Sequence, residues 1–120
     1  MALANPYTIA HGKYKGHKRL SFNLATATSH TVIAAVSGKR LRIVRAVITI
    51  EGDTTSATFG ETGDASAMYG PVEVLAATTG AVIQIDQADG LETPTAGTAF
   101  LCTLTNTQPI SGTIIYTEIN

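Results

Sequence analysis

The pattern of hydrophobic and polar positions predicts a chain made of short β-strands. Residues 41–50 form the strongest strand candidate, because they are dense in β-branched side chains. Turn-forming residues recur about every 8–12 positions, and no stretch shows the periodicity of a long helix. The other strand candidates are residues 30–36, 56–59, 72–75, 82–85, 98–105 and 112–119, with a short one at 20–24. At most, residues 64–68 and 76–77 add single helical turns.

Seven or eight short strands separated by turns indicate an all-β fold class, an antiparallel β-sandwich or barrel. The length of 120 residues suits one domain with a single core. We expect residues 1–29 to form an extended basic N-terminal arm and residues 30–120 to form the β-sandwich domain. The reason for the arm is the stretch 11–19, which contains two glycines and no apolar stripe.

Composition shows that the surface is poor in charge. Only 14% of the residues are charged, against about 25% in typical soluble domains. Uncharged polar side chains, or a binding partner, must therefore cover much of the surface. The net charge of −1 conceals a sorted distribution, because all eight basic residues precede residue 46 and all nine acidic residues follow residue 50. The basic residues are Lys13, Lys15, Lys18, Arg19, Lys39, Arg40, Arg42 and Arg45.

Several classes of protein are disfavoured by simple features of the sequence. No continuous apolar run reaches the length of a membrane span, and the first residues do not resemble a secretory signal. The single cysteine, Cys102, has no partner for an internal disulfide, and its apolar neighbours favour a buried position. We therefore expect folding in a reducing cell interior and no membrane association.

The sequence offers no motif for a metal, a cofactor or catalysis. The three histidines and the cysteine lack zinc-ligand spacing. Residues 86–90 and 61–64 faintly resemble calcium loops, but neither has the full ligand series, and local turn chemistry explains both. Phosphate loops, dinucleotide fingerprints and nucleophile motifs are absent from the sequence. We therefore expect a protein that is not an enzyme.

The basic stretch near the N-terminus is the sharpest candidate for a binding site. Tyr14 and two histidines are interspersed among four basic residues, Lys13, Lys15, Lys18 and Arg19. Three interpretations are open: a solvated tail, a site that follows a phosphate backbone while Tyr14 stacks on a base, or an arm that docks on acidic protein surface. We favour docking on acidic protein and disfavour nucleic acid, because acidic residues are available in another copy of the same chain.

Three arginines at the start of the strongest strand need partners of their own. Because side chains alternate along a strand, Arg40 and Arg42 are predicted to share one face and Arg45 to lie on the other. Burying them without carboxylates would be costly. Two interpretations are open, ion pairs with an acidic strand of the same subunit or contacts between subunits.

Residues 37–44, Ser-Gly-Lys-Arg-Leu-Arg-Ile-Val, resemble a Ser-Gly-Lys-Lys-Ile-Arg-Val segment of small β-proteins encoded among tailed-bacteriophage virion genes. Residues 96–104 are similar to the Ala-Gly-x-x-Leu-x-Leu strand of those proteins, and residues 109–118 to their closing Val-x-Gly-x-Leu-x-Tyr-x-Glu. Their Asn-Pro-x-Gly-Trp-Phe loop corresponds to the region of Gly90, where this chain lacks the aromatic residues. The resemblance covers about residues 30–119, and the basic stretch lies outside it.

The resemblance implies a jelly-roll-like sandwich in a phage virion, usually a homotrimer. The preferred hypothesis is a capsid decoration (cement) protein, made in the host cytoplasm and located on the capsid surface. Its partners would be the major capsid protein and other copies of itself. The alternative hypothesis is a receptor- or glycan-binding module of a head fibre or tail. The partner-binding residues would be Lys13, Tyr14, Lys15, Lys18, Arg19, Arg40, Arg42 and Arg45.

Overall fold

The computed structural model describes residues 6–24, 28–50, 55–74, 81–105 and 110–120, without the side chains of residues 28, 55, 65–67, 71–74, 81 and 86–90. It contains nine strands over these ranges. The strands are β1 (Tyr7–Thr8), β2 (Lys18–Leu24), β3 (Thr28–Ile33), β4 (Arg40–Ile50), β5 (Thr55–Glu61), β6 (Asp64–Val74), β7 (Ala81–Glu92), β8 (Phe100–Leu104) and β9 (Ile110–Ile119). In the described part of the chain, no helix is long and apolar enough to cross a membrane.

The strands form two antiparallel sheets with the strand order of a jelly roll. One sheet has the order β1-β2-β9-β4-β7 and the other the order β3-β8-β5-β6. From β2 to β9 the chain moves to the opposite sheet at each step, except at the β5–β6 hairpin. This arrangement confirms the predicted all-β sandwich and the jelly-roll-like order that the resemblance implied.

The core lies between the two sheets and is built from alternating strand positions. Leu20, Phe22 and Leu24 point inward from β2, as expected for a half-buried strand of period two. Phe59 and Phe100 stack in the opposite sheet, with ring centroids 5.7 Å apart. Sorting apolar side chains to the inner faces leaves the outer faces mainly to polar side chains.

Residues 7–8 and 18–24 are strands of the sandwich, which corrects the prediction of an extended arm for this part of residues 1–29. β2 lies inside the five-stranded sheet, where it pairs with β9 from Lys18↔Tyr116 to Leu24↔Ile110. The predicted boundary between residues 29 and 30 falls within β3. The arm prediction underestimated the alternation of Leu20, Phe22 and Leu24, which buries this strand in the common core.

Two smaller predictions also change. Residues 64–68, considered for a helical turn, are the beginning of strand β6, whereas residues 76–77 lie outside the described residues. The faint calcium loop at residues 86–90 falls within strand β7.

Candidate functional site

The eight basic residues gather at one end of the sandwich, which we call the basic end. It comprises the β1–β2 loop (residues 9–17), the first half of β2, Lys39 with the first half of β4, and the final residues of β7 and β9. The strand register brings these segments together, because Arg42 on β4 is opposite Thr117 on β9 and Glu92 on β7. Every lysine and arginine of the chain therefore lies in this part of the molecule.

The β1–β2 loop is a closed hairpin loop rather than an extended segment. The N–H of Ile9 donates to the carbonyl of His17 at 2.9 Å, and the N–H of Gly16 donates to the carbonyl of Ile9 at 2.9 Å. Gly12 and Gly16 have φ of 89° and 86°, a backbone conformation that other residues adopt only with strain. The two glycines that argued against a helix therefore serve to close this loop.

Side chains of the loop contact one another. The Tyr14 and His17 rings make an edge-on contact, with centroids 5.8 Å apart. The Lys13 ammonium lies 5.5 Å from the centre of the Tyr14 ring. No described carboxylate lies within 4.0 Å of the Lys13 or Lys15 ammonium group. The loop therefore presents two lysine charges to solvent.

Lys18 anchors the base of the loop to β9. Its ammonium donates a hydrogen bond to Glu118 at 2.6 Å. That hydrogen bond raises the pKa of Lys18, partly opposed by burial and assisted by the nearby negative charge of Glu118. Burial also raises the pKa of Tyr116, the residue opposite Lys18 in the β2–β9 register. Of the predicted partner-binding lysines, Lys18 is thus already paired within the subunit.

A β-bulge in β4 corrects the predicted orientation of Arg45. Ile43 is opposite Tyr116 on β9 and Arg45 is opposite Ile115, so Val44 is an extra residue between two consecutive pairs. Val44 is buried next to the buried Ile43, and the alternation shifts by one position from there onward. Arg45 therefore lies on the outer face of the sheet, together with Arg40 and Arg42, rather than on the opposite face.

Arg40 and Arg42 share one carboxylate of the same subunit. Their guanidinium groups lie 3.6 and 3.3 Å from the carboxylate oxygens of Glu92. Arg40 also donates to the carbonyl of Asn120, and the Lys39 ammonium donates to the Asn120 side chain. For these two arginines the structure agrees with the interpretation of intrachain pairs. Arg45 is opposite Asp86 in the backbone pairing of β4 with β7.

The β7–β8 loop holds the beginning of β4 in place. Leu41 and Thr93 exchange two hydrogen bonds, from the Leu41 N–H to the Thr93 hydroxyl at 2.8 Å and from the Thr93 N–H to the Leu41 carbonyl at 2.9 Å. The buried carboxylate of Glu61 accepts hydrogen bonds from the Thr95 N–H and the Thr98 hydroxyl at 3.0 and 2.9 Å. Arg40 and Arg42 therefore extend from a firmly held strand.

Arg19 lies on the same outer face, one strand beyond β9. Its guanidinium is 4.9 Å from the centre of the Tyr7 ring, and Tyr7 is 53% exposed. The β2–β9 register places Arg19 opposite Ile115, and the β4–β9 register places Arg45 opposite the same residue. Sequence reasoning identified these arginines but missed Tyr7, Ile115 and Glu92, because their proximity depends on pairing between distant strands.

The other candidate groups have structural positions. Cys102 is buried, as predicted, and burial raises the pKa of its thiol to about 12, so the reactive thiolate is suppressed at neutral pH. Within the described residues, no three histidine, cysteine or acidic side chains group as metal ligands would. The arrangement of cations at the basic end can bind anionic groups.

Comparison with known proteins supports the fold. No family model matches the chain, and no curated protein matches it. Among solved structures, it is similar to a chain of a structure described as "Cyanophage Pam1 capsid asymmetric unit". The TM-score is 0.52 at 18% sequence identity, and the similarity covers 100% of this chain and 94% of that chain. At this level of identity the similarity shows a shared fold.

Proposed function

We propose that this chain is a structural protein of a tailed-bacteriophage virion, and specifically a capsid decoration (cement) protein. The observation that carries the proposal is the jelly-roll sandwich, whose similarity to a chain from a cyanophage capsid asymmetric unit extends over the full length of this chain. The decoration role adds that the protein binds the outside of the capsid lattice as a homotrimer and stabilises it.

The charge distribution supports a role in binding. All cations lie at one end of the sandwich, and Lys13 and Lys15 have no carboxylate partner within reach among the described residues. An excess of positive charge of this kind favours association with an acidic surface over a basic one. In the proposed virion, that surface belongs to the major capsid protein or to a neighbouring copy of this chain.

The test is binding to phage particles. Particles that lack this protein should bind the purified chain and become more resistant to heat, and light scattering should give the free chain about three times its mass of 12.5 kDa. High salt should loosen the assembly, and Lys13→Glu with Lys15→Glu should weaken it further, because reversed charges repel an acidic partner. A monomer that is absent from purified particles would overturn the proposal.

The receptor- or glycan-binding module is the second hypothesis. Glycan sites depend on exposed aromatic rings, and among the described residues the strongly exposed aromatic side chains are Tyr7 and Tyr69. The Arg19 guanidinium lies over one side of the Tyr7 ring, and Tyr69 packs near Phe59. The structure therefore offers less support for this hypothesis than for the decoration role, and binding to a glycan array would reverse that ranking.

A further inference from the structure

The geometry points to a specific docking surface, the outer face of the five-stranded sheet at the basic end, which binds an acidic polypeptide segment through arginine side chains. We call it the arginine face and define it by Arg19, Arg40, Arg42 and Arg45 with Ile115 between them. The inference rests on the proposed function only for the identity of the partner, because binding of acidic polypeptide is a property of the chain itself.

All four arginines of the chain lie on the outer face of the five-stranded sheet. Arg19 and Arg45 stand on either side of Ile115, one strand away from it in each direction. Their Cα atoms are therefore about 10 Å apart, two strand spacings. The bulge at Val44 is what turns Arg45 to this face and completes the row.

Carboxylates of the same subunit neutralise the charges of these arginines only in part. Arg40 and Arg42 share the single carboxylate of Glu92, and each keeps more than a third of its side chain exposed, at 35% and 43%. Arg19 and Arg45 are exposed, and no carboxylate whose side chain is described lies within 4.0 Å of either guanidinium. Asp86 is opposite Arg45 in the β4–β7 register, so Arg19 is the arginine of this face farthest from the acidic residues of β7. Guanidinium groups bind carboxylates through paired hydrogen bonds, so this surplus can take carboxylates from a partner.

Apolar and aromatic side chains lie beside the arginines. Ile115 and Ile119 are partly buried on the same face, and the exposed Tyr7 ring lies under Arg19. Arginine and tyrosine with apolar neighbours are the side chains that contribute most to protein–protein binding. Beyond the arginines the face changes to exposed uncharged side chains, namely Ser21, Thr113, Val47 and Gln84 in the next row. The arginine face is therefore a bounded patch.

The net charge of the chain favours a polypeptide partner over nucleic acid. Nucleic-acid-binding domains carry strong positive charge, whereas this chain has a net charge of −1 and a pI of about 6.2. Separate arginines around apolar side chains suit separate carboxylates on an amphipathic protein surface.

The test measures binding of a fluorescent octaglutamate peptide to the full chain by fluorescence anisotropy at low ionic strength, with a DNA duplex as the second probe. Replacing Arg19 and Arg45 by glutamine should weaken peptide binding about tenfold. The matched control replaces Lys13 and Lys15 by glutamine, which removes the same charge from the loop, and should weaken binding less than about threefold. All four positions are at least partly exposed, and melting curves verify that each variant folds.

A second pair of variants tests the role of Glu92. Glu92→Gln releases Arg40 and Arg42 and should tighten peptide binding by about threefold. Glu118→Gln adds the same charge at the same end but releases Lys18 instead, and should change binding less.

The outcomes separate this inference from the proposed function. Equal weakening by the arginine and lysine pairs would show that only net charge matters and would overturn the arginine face. Failure of the unaltered chain to bind the peptide, or tighter binding to the DNA duplex, would overturn it as well. Absence of the protein from phage particles would overturn the proposed function and leave the peptide result standing.

Discussion

Two groups of cations lie close together in this molecule, yet they are held in different ways. The lysines of the β1–β2 loop extend from a hairpin loop that is closed by glycines and packed on its own Tyr14 and His17 rings. Arg40 and Arg42 extend from a central strand whose first residues are bonded to Thr93 and whose inner side chains are in the core. The same charge is therefore presented on a solvent-exposed loop in one place and on a strand packed against the core in the other.

The difference suggests a division of labour between the two groups. Solvated charges on a loop mainly increase the rate of encounter with an oppositely charged partner, and salt readily weakens their attraction. Charges on a rigid strand lose less conformational freedom on binding and can select geometry. In the proposed virion role, the loop lysines would attract the acidic surface and the arginine face would fix its orientation.

The largest expected effect comes from disturbing the rigid side of this comparison. Ile43 lies under the arginines, is 1% exposed and precedes the bulge. Ile43→Ala should lower the free energy of unfolding by about 3 kcal/mol, because it removes buried methyl groups and leaves a cavity. Urea denaturation measures the change. Lys15→Ala in the loop is the control and should stay within about 0.5 kcal/mol of the unaltered chain.

A smaller effect is expected from straining the loop itself. Gly16 has φ of 86°, and a Cβ there would meet no atom within 4 Å, so any cost comes from the backbone alone. Gly16→Ala should lower the free energy of unfolding by about 1–2 kcal/mol. It should also speed hydrogen exchange at the Gly16 and His17 amides while leaving β4 protected.

Gly63 provides the matched control for this variant. It has φ of 93° in the β5–β6 turn, also with open space around a Cβ. Gly63→Ala should produce a similar loss of stability without changing exchange in the β1–β2 loop. Faster exchange in β4 after Gly16→Ala would contradict the separation between loop and strand.

The smallest effect concerns the ion pair between Lys18 and Glu118, which joins the base of the loop to β9. The hydrogen bond to Glu118 raises the pKa of Lys18 above its ordinary value. A raised pKa in the folded state means that the pair stabilises the fold at pH below about 10.4 and that this contribution is lost as pH rises through the folded pKa. Titration of the lysine ammonium signals by NMR measures this, and Glu118→Gln should return Lys18 toward its ordinary pKa. No change on that substitution would contradict the pairing.

Much of the fold was predictable because strand formation depends on local alternation. The candidate at 41–50 corresponds to β4, and those at 98–105 and 112–119 correspond to β8 and β9. The arm was the main error. Glycines and lysines in the stretch 11–19 suggested an extended segment, but the chain closes there into a hairpin loop between β1 and β2.

The candidate site was predictable in residue type and much less so in geometry. The sequence identified the loop lysines and the arginines, because charge sorting is visible in one dimension. Which cation is already paired depends on partners about 50 to 100 residues away, since Arg42 meets Glu92 and Lys18 meets Glu118. Such contacts follow from strand order, which no local pattern specifies.

The sequence by itself determined that the protein is an all-β chain of short strands with one cysteine in apolar surroundings and with all its lysines and arginines before residue 46. These properties follow from side-chain alternation, composition and charge order, which are read along the chain. Only the tertiary structure decided that Arg45 joins Arg40 and Arg42 on one face, because a single extra residue, Val44, reverses the alternation within β4. A bulge is set by pairing with neighbouring strands, so its consequences emerge only when the sheet is assembled.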